Sequence, residues 1–264
     1  NVGAMKNRGI ELTLNSVNID TKDFTWQTSL NYSFNKNEID KLYNDLERVG
    51  NYFVGQSINV IYTKRFGGIW QSDEAEIAKI YNAEPGDYKI IDRNRNNIID
   101  DDDRDFVGQT TPQFFGSFSN TFKSHGFDLT IFLTYAGGHK IYNPFAYLDS
   151  YSPSANMSPD YYHNYWTPER PSKKYPRLGS TNSQLYETDG MYQKGDYIRL
   201  KNLELGYTLP RNIANKVYAS NIRVYASVQN LVTFTKYTGF DVETSNANPY
   251  PACRVFMGGL TVNF

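Results

Sequence analysis

The residues best placed to do chemistry lie in one acidic run, Asp92-Arg93-Asn94-Arg95-Asn96-Asn97-Ile98-Ile99-Asp100-Asp101-Asp102-Asp103. Oxygen side chains stand at its positions 1, 3, 5, 9 and 12 (Asp92, Asn94, Asn96, Asp100, Asp103), with the Ile98 carbonyl at 7 and apolar Ile99 at 8. An EF-hand-type loop gathers oxygens around a hard cation in this order, because one tight turn brings those positions to a common centre. The expected ion is Ca2+, as a structural staple and not a catalyst. Two positions depart from the pattern. Asn97 replaces the usual Gly, though Asn enters the left-handed region more readily than most residues, and Asp103 replaces the bidentate Glu. Flanking helices are not evident either, and the alternative is a solvated acidic loop paired with its own Arg93, Arg95 and Arg104.

A second set is aromatic: Tyr142, Tyr147, Tyr151, Tyr161, Tyr162, Tyr165 and Trp166, all within 138–195. Such rings stack on sugar faces or anchor a partner's surface, and they equally pack a long loop against itself. Self-packing is the first expectation for any single ring, a partner's surface the second and substrate the third. Catalysis is not expected. His125, His139 and His163 sit in no metal-ligand spacing, and nucleophile elbow, phosphate loop and dinucleotide fingerprint are missing from the sequence. The lone Cys253 excludes an internal disulfide framework and a thiolate metal site, and reads as packed and inert. A net charge of -1 and a pI near 6.4 give no electrostatic case for nucleic acid.

The elements that must carry these loops are strands. In Phe24 to Asn35 the even positions are Phe24, Trp26, Thr28, Leu30, Tyr32 and Phe34, and the odd ones are small and polar. Period two means one greasy and one wet face. The rings stand at the two ends of the greasy face, as a bilayer with two interfaces demands. Phe127 to Tyr135 repeats the arrangement. The mean hydropathy of -0.60 is no objection, since half of each barrel strand faces water.

Alternation marks seven spanning strands, near 7–19, 24–35, 114–122, 127–135, 197–209, 221–234 and 254–264. Short connections at 20–23, 124–126 and 210–220 alternate with long ones at 36–113, 138–195 and 235–252, which are therefore expected to be the extracellular loops of an outer-membrane barrel. The strand-like Ile58 to Trp70 belongs inside the first loop, because counting it as spanning would put a tight turn on the wrong side; a short helix is expected at Asp73 to Tyr81. Seven strands cannot close an even barrel. The chain also starts without an initiator Met or a signal segment, so it is expected to be a portion of a longer polypeptide. The final strand ends on an aromatic, Phe264, like the signal by which outer-membrane clients are recognised for assembly.

Several phrases carry a family likeness: Asn-Arg-Gly-Ile-Glu-Leu-Thr-Leu (7–14), Trp-Gln-Thr-Ser-Leu-Asn-Tyr-Ser-Phe-Asn-Lys-Asn-Glu-Ile (26–39), Pro-Gly-Asp-Tyr-Lys (85–89), Tyr-Ile-Arg-Leu-Lys-Asn-Leu-Glu-Leu-Gly-Tyr-Thr-Leu-Pro (197–210) and Arg-Val-Tyr-Ala-Ser-Val-Gln-Asn-Leu-Val-Thr-Phe-Thr (223–235). The chain resembles, over essentially its whole length, the C-terminal part of a SusC/RagA-type TonB-dependent transporter. The resemblance implies an all-β, antiparallel, twenty-two-stranded barrel in the outer membrane, typical of Bacteroidetes. It further implies import of oligosaccharide or peptide, energy passed from TonB through an N-terminal plug segment that this sequence lacks, and a SusD-like surface lipoprotein as lid. Two alternatives share the strand faces: a passive porin or adhesin barrel, and a soluble calcium-stapled β-sandwich that binds carbohydrate.

Overall fold

The computed structural model describes residues 3–143, 157, 159–180, 187–244 and 250–264. The chain begins with β1 (Gly3–Asp20) and β2 (Phe24–Leu42). The first long connection carries β3 (Arg48–Val49), β4 (Tyr52–Phe53), β5 (Val60–Lys64), β6 (Phe66–Ile69), β7 (Tyr88–Ile90) and β8 (Arg104–Gln109). Then come β9 (Phe114–Ser124), β10 (Phe127–Gly137), β11 (Lys140–Tyr142), β12 (Tyr192–Lys194), β13 (Tyr197–Thr208), β14 (Asn221–Thr235) and β15 (Val255–Asn263).

Seven of these strands form one antiparallel sheet in the order β1-β2-β9-β10-β13-β14-β15. Each pairs with its neighbour in the chain, so short turns lie at one end and the three long connections, 43–113, 138–196 and 236–254, at the other. Ile58 to Trp70 lies within the first of them, where β5 pairs β8 and β6 pairs β7. A short helix, Ala75–Ile80, follows a 3-10 turn at Ser72–Glu74.

Register turns the alternation of single strands into continuous faces. Leu14, Leu30, Phe118, Leu133, Leu200 and Val232 stand opposite one another across the sheet. The row beside it on the other face reads Thr13, Asn31, Ser117, Thr134, Arg199 and Thr233. On the apolar face the side chain of Asn120 is satisfied locally, accepting from Trp26 Nε1 and Thr28 Oγ1, both at 2.8 Å. On the polar face Arg223 pairs with Asp128 at 2.5 Å and Glu204 at 2.7 Å, its guanidinium lying across Gly206.

This sheet has no core of its own. The buried apolar side chains, among them Ile61, Ile69, Trp70, Tyr88, Tyr161, Trp166 and Met191, lie almost entirely in the long connections, while Ile10, Leu12, Leu14, Leu205, Phe256 and Leu260 on the wall strands are exposed. Among the described residues no second sheet covers either face, as the soluble-sandwich alternative would require. Among the described residues no helix is long and apolar enough to cross a membrane, which says nothing of crossing by strands.

Two expectations need correction. The second strand runs on past Asn35 to Leu42 and keeps pairing with β1 up to Gly3. Residues 36–42 lack strict alternation, but ladder bonds do not require it; the hairpin rises roughly 25 Å beyond the Phe34–Phe114 pair at ~3.3 Å per residue. Cys253 is exposed, not packed.

Candidate functional site

The long connections knit into a crown at the loop end. Lys64, almost fully buried, pairs with Glu187 at 3.2 Å, and the Phe66 amide donates to Asp189 at 2.8 Å. Gln71 donates to the Ser172 carbonyl (3.0 Å) and accepts from Trp166 Nε1 (3.1 Å). Ile69, Tyr88, Trp166 and Met191 form one buried cluster, with Phe66, Tyr142 and Tyr192 packed on it. Each such burial is worth roughly 1.5–3 kcal/mol, so packing and not chain propensity holds the crown.

The phrase Pro85-Gly86-Asp87-Tyr88-Lys89 is its hub. Gly86 adopts φ +91°, and a Cβ there would come within 2.5 Å of the Trp166 ring and 2.7 Å of Arg177 Cβ. Asp87 accepts from Arg177 Nε at 3.0 Å and Ser180 Oγ at 2.8 Å, Tyr88 enters the core, and Lys89 lies 4.4 Å over Trp70 while pairing with Glu74.

The third connection is fastened to the wall by Arg199. Its guanidinium donates to Asp241 at 2.7 Å, Glu243 at 2.6 Å and Thr233 at 2.8 Å, and the Arg199 and Asp241 side chains are 5% and 4% exposed. Burial works against the Asp241 charge, but Arg199 and the amides of Glu243 and Ala252 outweigh it and hold the carboxyl below its usual range.

The acidic run forms a curled loop. Asp92 accepts from the amides of Arg95 (2.5 Å) and Asn97 (2.8 Å) and from the Tyr81 hydroxyl (3.0 Å). Desolvation opposes its charge, and these donors more than offset it, so its carboxyl titrates low. Asn94 and Asn96 accept from the amides two residues on, at 3.0 and 2.8 Å, and Asn97 is left-handed at φ +66°. Asp100 caps the 3-10 turn Asp101–Asp103, and buried Asp103 accepts from the amides of Arg93 (2.7 Å) and Asp100 (3.0 Å). Ile98 is exposed. Among the described residues no group of three or more His, Cys, Asp or Glu side chains is drawn together for a metal.

The candidate rings divide. Tyr161 is fully buried, its hydroxyl pushed up to about 12 by desolvation, with Tyr165 adding to the rise. Trp166 is buried, Tyr142 packs edge-on against Tyr192 at 5.3 Å, and Tyr165 carries Arg170 over its ring at 4.6 Å. Tyr162 is 58% exposed. Tyr147 and Tyr151 lie outside the described residues. Reading for motifs missed the Arg199–Asp241 fastening and the Gly86 hub; the one available signal was that both sit in the family-like phrases or beside them.

No family model matches the chain. Over its whole length it is 32% identical to the TonB-dependent receptor P3 of Formosa agariphila and 29% identical to the TonB-dependent receptor SusC of Bacteroides thetaiotaomicron. It spans 29% and 27% of their lengths, under a third of each. All of it superposes on 30% of a chain in the structure of the RagAB peptide transporter, with a TM-score of 0.82 and 26% identity. The RagAB peptide importer in its 'closed-closed' and 'open-open' states gives TM-scores of 0.80 and 0.79. These matches are receptors and transporters. With its coreless, two-faced sheet and its loops gathered at one end, the chain belongs to the SusC/RagA family of TonB-dependent receptors of the outer membrane and forms part of the β-barrel.

Proposed function

We propose that this chain is the C-terminal wall and mouth of an importer that takes up a bulky nutrient, oligosaccharide or peptide, on energy delivered by TonB through an N-terminal plug outside this sequence. The apolar face meets lipid, the polar face lines the lumen, and the crown is extracellular, where a SusD-like surface lipoprotein closes on it. The observation that carries this reading is the placement of nearly all apolar packing among the described residues in the crown, above a sheet that buries almost no apolar side chain by itself. Near-equal likeness to both RagAB states supports a wall that frames the movement of other parts. The test is the native mass and subunit composition of the full-length receptor solubilised from its membrane, with uptake compared with and without TonB. A barrel with a surface lipoprotein and TonB-dependent uptake is expected. A barrel alone with TonB-independent flux would make it a passive channel.

We also propose that the Asp92 to Asp103 loop holds Ca2+. Its ligand spacing and the left-handed Asn97 support this, and the oxygens of Asn94, Asn96 and Asp103, which each accept one backbone amide, keep a further lone pair for a cation. Calcium is expected to slow proteolysis within the loop, and Asp92→Asn with Asp103→Asn to remove that protection. Equal cleavage with Ca2+ and with chelator would rule the ion out.

A further inference from the structure

A cavity of about 550 Å³ opens at the loop end of the wall, between the three long connections, lined in part by Ala136 and Tyr197 of the polar face. Pro112, Ala136, Ile141 and Val242 give it an aliphatic patch, beside the polar Thr110, Lys140 and Thr244. His139 also lines it, is 7% exposed, and has no hydrogen-bond partner for Nδ1 among the described residues. The ring is fixed in place, packed so closely on Gly195 that a Cβ there would stand 2.4 Å from Nε2. Burial pushes its pKa down against the pull of Asp196, so the ring is neutral at pH 7 and offers one donor and one acceptor. A buried polar atom left without a partner is costly, and its position on a cavity wall points to a group that arrives from outside.

Most of the other polar groups are already engaged: Lys140 faces Asp189 at 4.0 Å, and the Thr244 hydroxyl donates to the Asp241 carbonyl at 3.3 Å. Glu243 is held by Arg199 (2.6 Å) and Lys201 (2.9 Å), the Tyr197 hydroxyl donates to Glu243 at 3.3 Å, and Tyr142 packs on Tyr192. A sugar ring seated on the patch of Pro112, Ala136, Ile141 and Val242 would turn hydroxyls toward aliphatic carbon, where they lose hydration without gaining partners. An aliphatic side chain fits that patch, and it comes with one backbone amide for the imidazole.

We propose that this cavity takes an aliphatic residue of an extended peptide, with the His139 imidazole hydrogen-bonded to the peptide backbone. The proposal rests on the importer reading and narrows its cargo to peptide. The test uses the full-length receptor with its native partners in detergent, titrated with synthetic octapeptide pools carrying Leu or Asp at a fixed central position, and with maltoheptaose. Preference for the Leu pool is expected, weakened about five-fold by His139→Ala and abolished by Val242→Arg, both variants keeping heat-modifiable barrel migration. Peptide affinity unchanged in both variants would overturn the proposal, leaving the imidazole to water only. Maltoheptaose binding that both variants weaken would overturn it in favour of glycan. Either result can stand beside intact TonB-dependent uptake, whereas loss of the importer reading itself would show as uptake without TonB in the wild type.

Discussion

Gly86→Ala should loosen the crown and leave the wall standing. The new Cβ sits on a backbone at φ +91°, which costs an L-residue about 1–2 kcal/mol. It also meets the buried Trp166 ring at 2.5 Å and Arg177 Cβ at 2.7 Å, an overpacking of about 1–3 kcal/mol. Together these give roughly 2–5 kcal/mol, charged to the crown alone because no wall strand touches the site. The assay is limited trypsin digestion of the full-length receptor in detergent, following cleavage at the exposed Lys173 and Lys174. Where the open crown is cleaved slowly relative to closing, the rate follows the open population, so even ~2 kcal/mol gives about thirty-fold faster cutting. Heat-modifiable migration of the barrel should not change. Gly179→Ala is the control: its φ is +77°, but its Cβ would meet nothing within 4 Å, so only the backbone cost remains and the acceleration should be clearly smaller. Wild-type cleavage rates in Gly86→Ala, or equal effects in the two variants, would refute the hub.

Arg199→Met should free the third connection, since stranding the buried Asp241 carboxylate costs about 3–5 kcal/mol; hydrogen exchange at the Glu243 and Ala252 amides, which donate to Asp241, should accelerate accordingly. The same fastening should fail in acid. The folded Asp241 carboxyl titrates below its unfolded value of about 3.9, so its contribution is complete above that pH and is lost as pH falls through the folded value; exchange at these two amides should rise only below about pH 4. Leu30→Arg and Ile131→Arg on the apolar face should each cost the barrel roughly 2–4 kcal/mol at mid-bilayer, read as lost heat-modifiable folding in lipid; unimpaired assembly of both would contradict the lipid-facing assignment.

The wall was legible because a bilayer writes a period of two into sequence: Phe24 to Phe34 and Phe127 to Tyr135 show the same faces in the letters and in the register. The extension of β2 to Leu42 was not, since Lys36-Asn37-Glu38 stands outside the apolar band and obeys no alternation. The crown was illegible for another reason. Ile69, Tyr88, Trp166 and Met191 pack together from segments about a hundred residues apart, and no local pattern encodes such meetings. The Asp92 to Asp103 run was legible as a ligand order but not as a cluster, because backbone amides take up its oxygens in ways spacing does not reveal. Fixing His139 as a buried ring against Gly195 brings together the two ends of one long connection, and the cavity it lines is closed by the other two.

The crown also bears on how the wall finds its register. A strand in a bilayer can slide by two residues against its neighbour and still show the same face to lipid, so alternation alone leaves such errors almost unpunished. A two-residue slip displaces the chain by about 6.6 Å. The contacts of Thr63 and Lys64 with Glu187, of Gly86 with Arg177 and of Asp87 with Ser180 join the connection between β2 and β9 to the one between β10 and β13. They span 2.5 to 3.2 Å and do not survive such a shift. The loops above the membrane thus act as a vernier for the strands within it: only the correctly indexed hairpins let the crown close, and its closure then locks them.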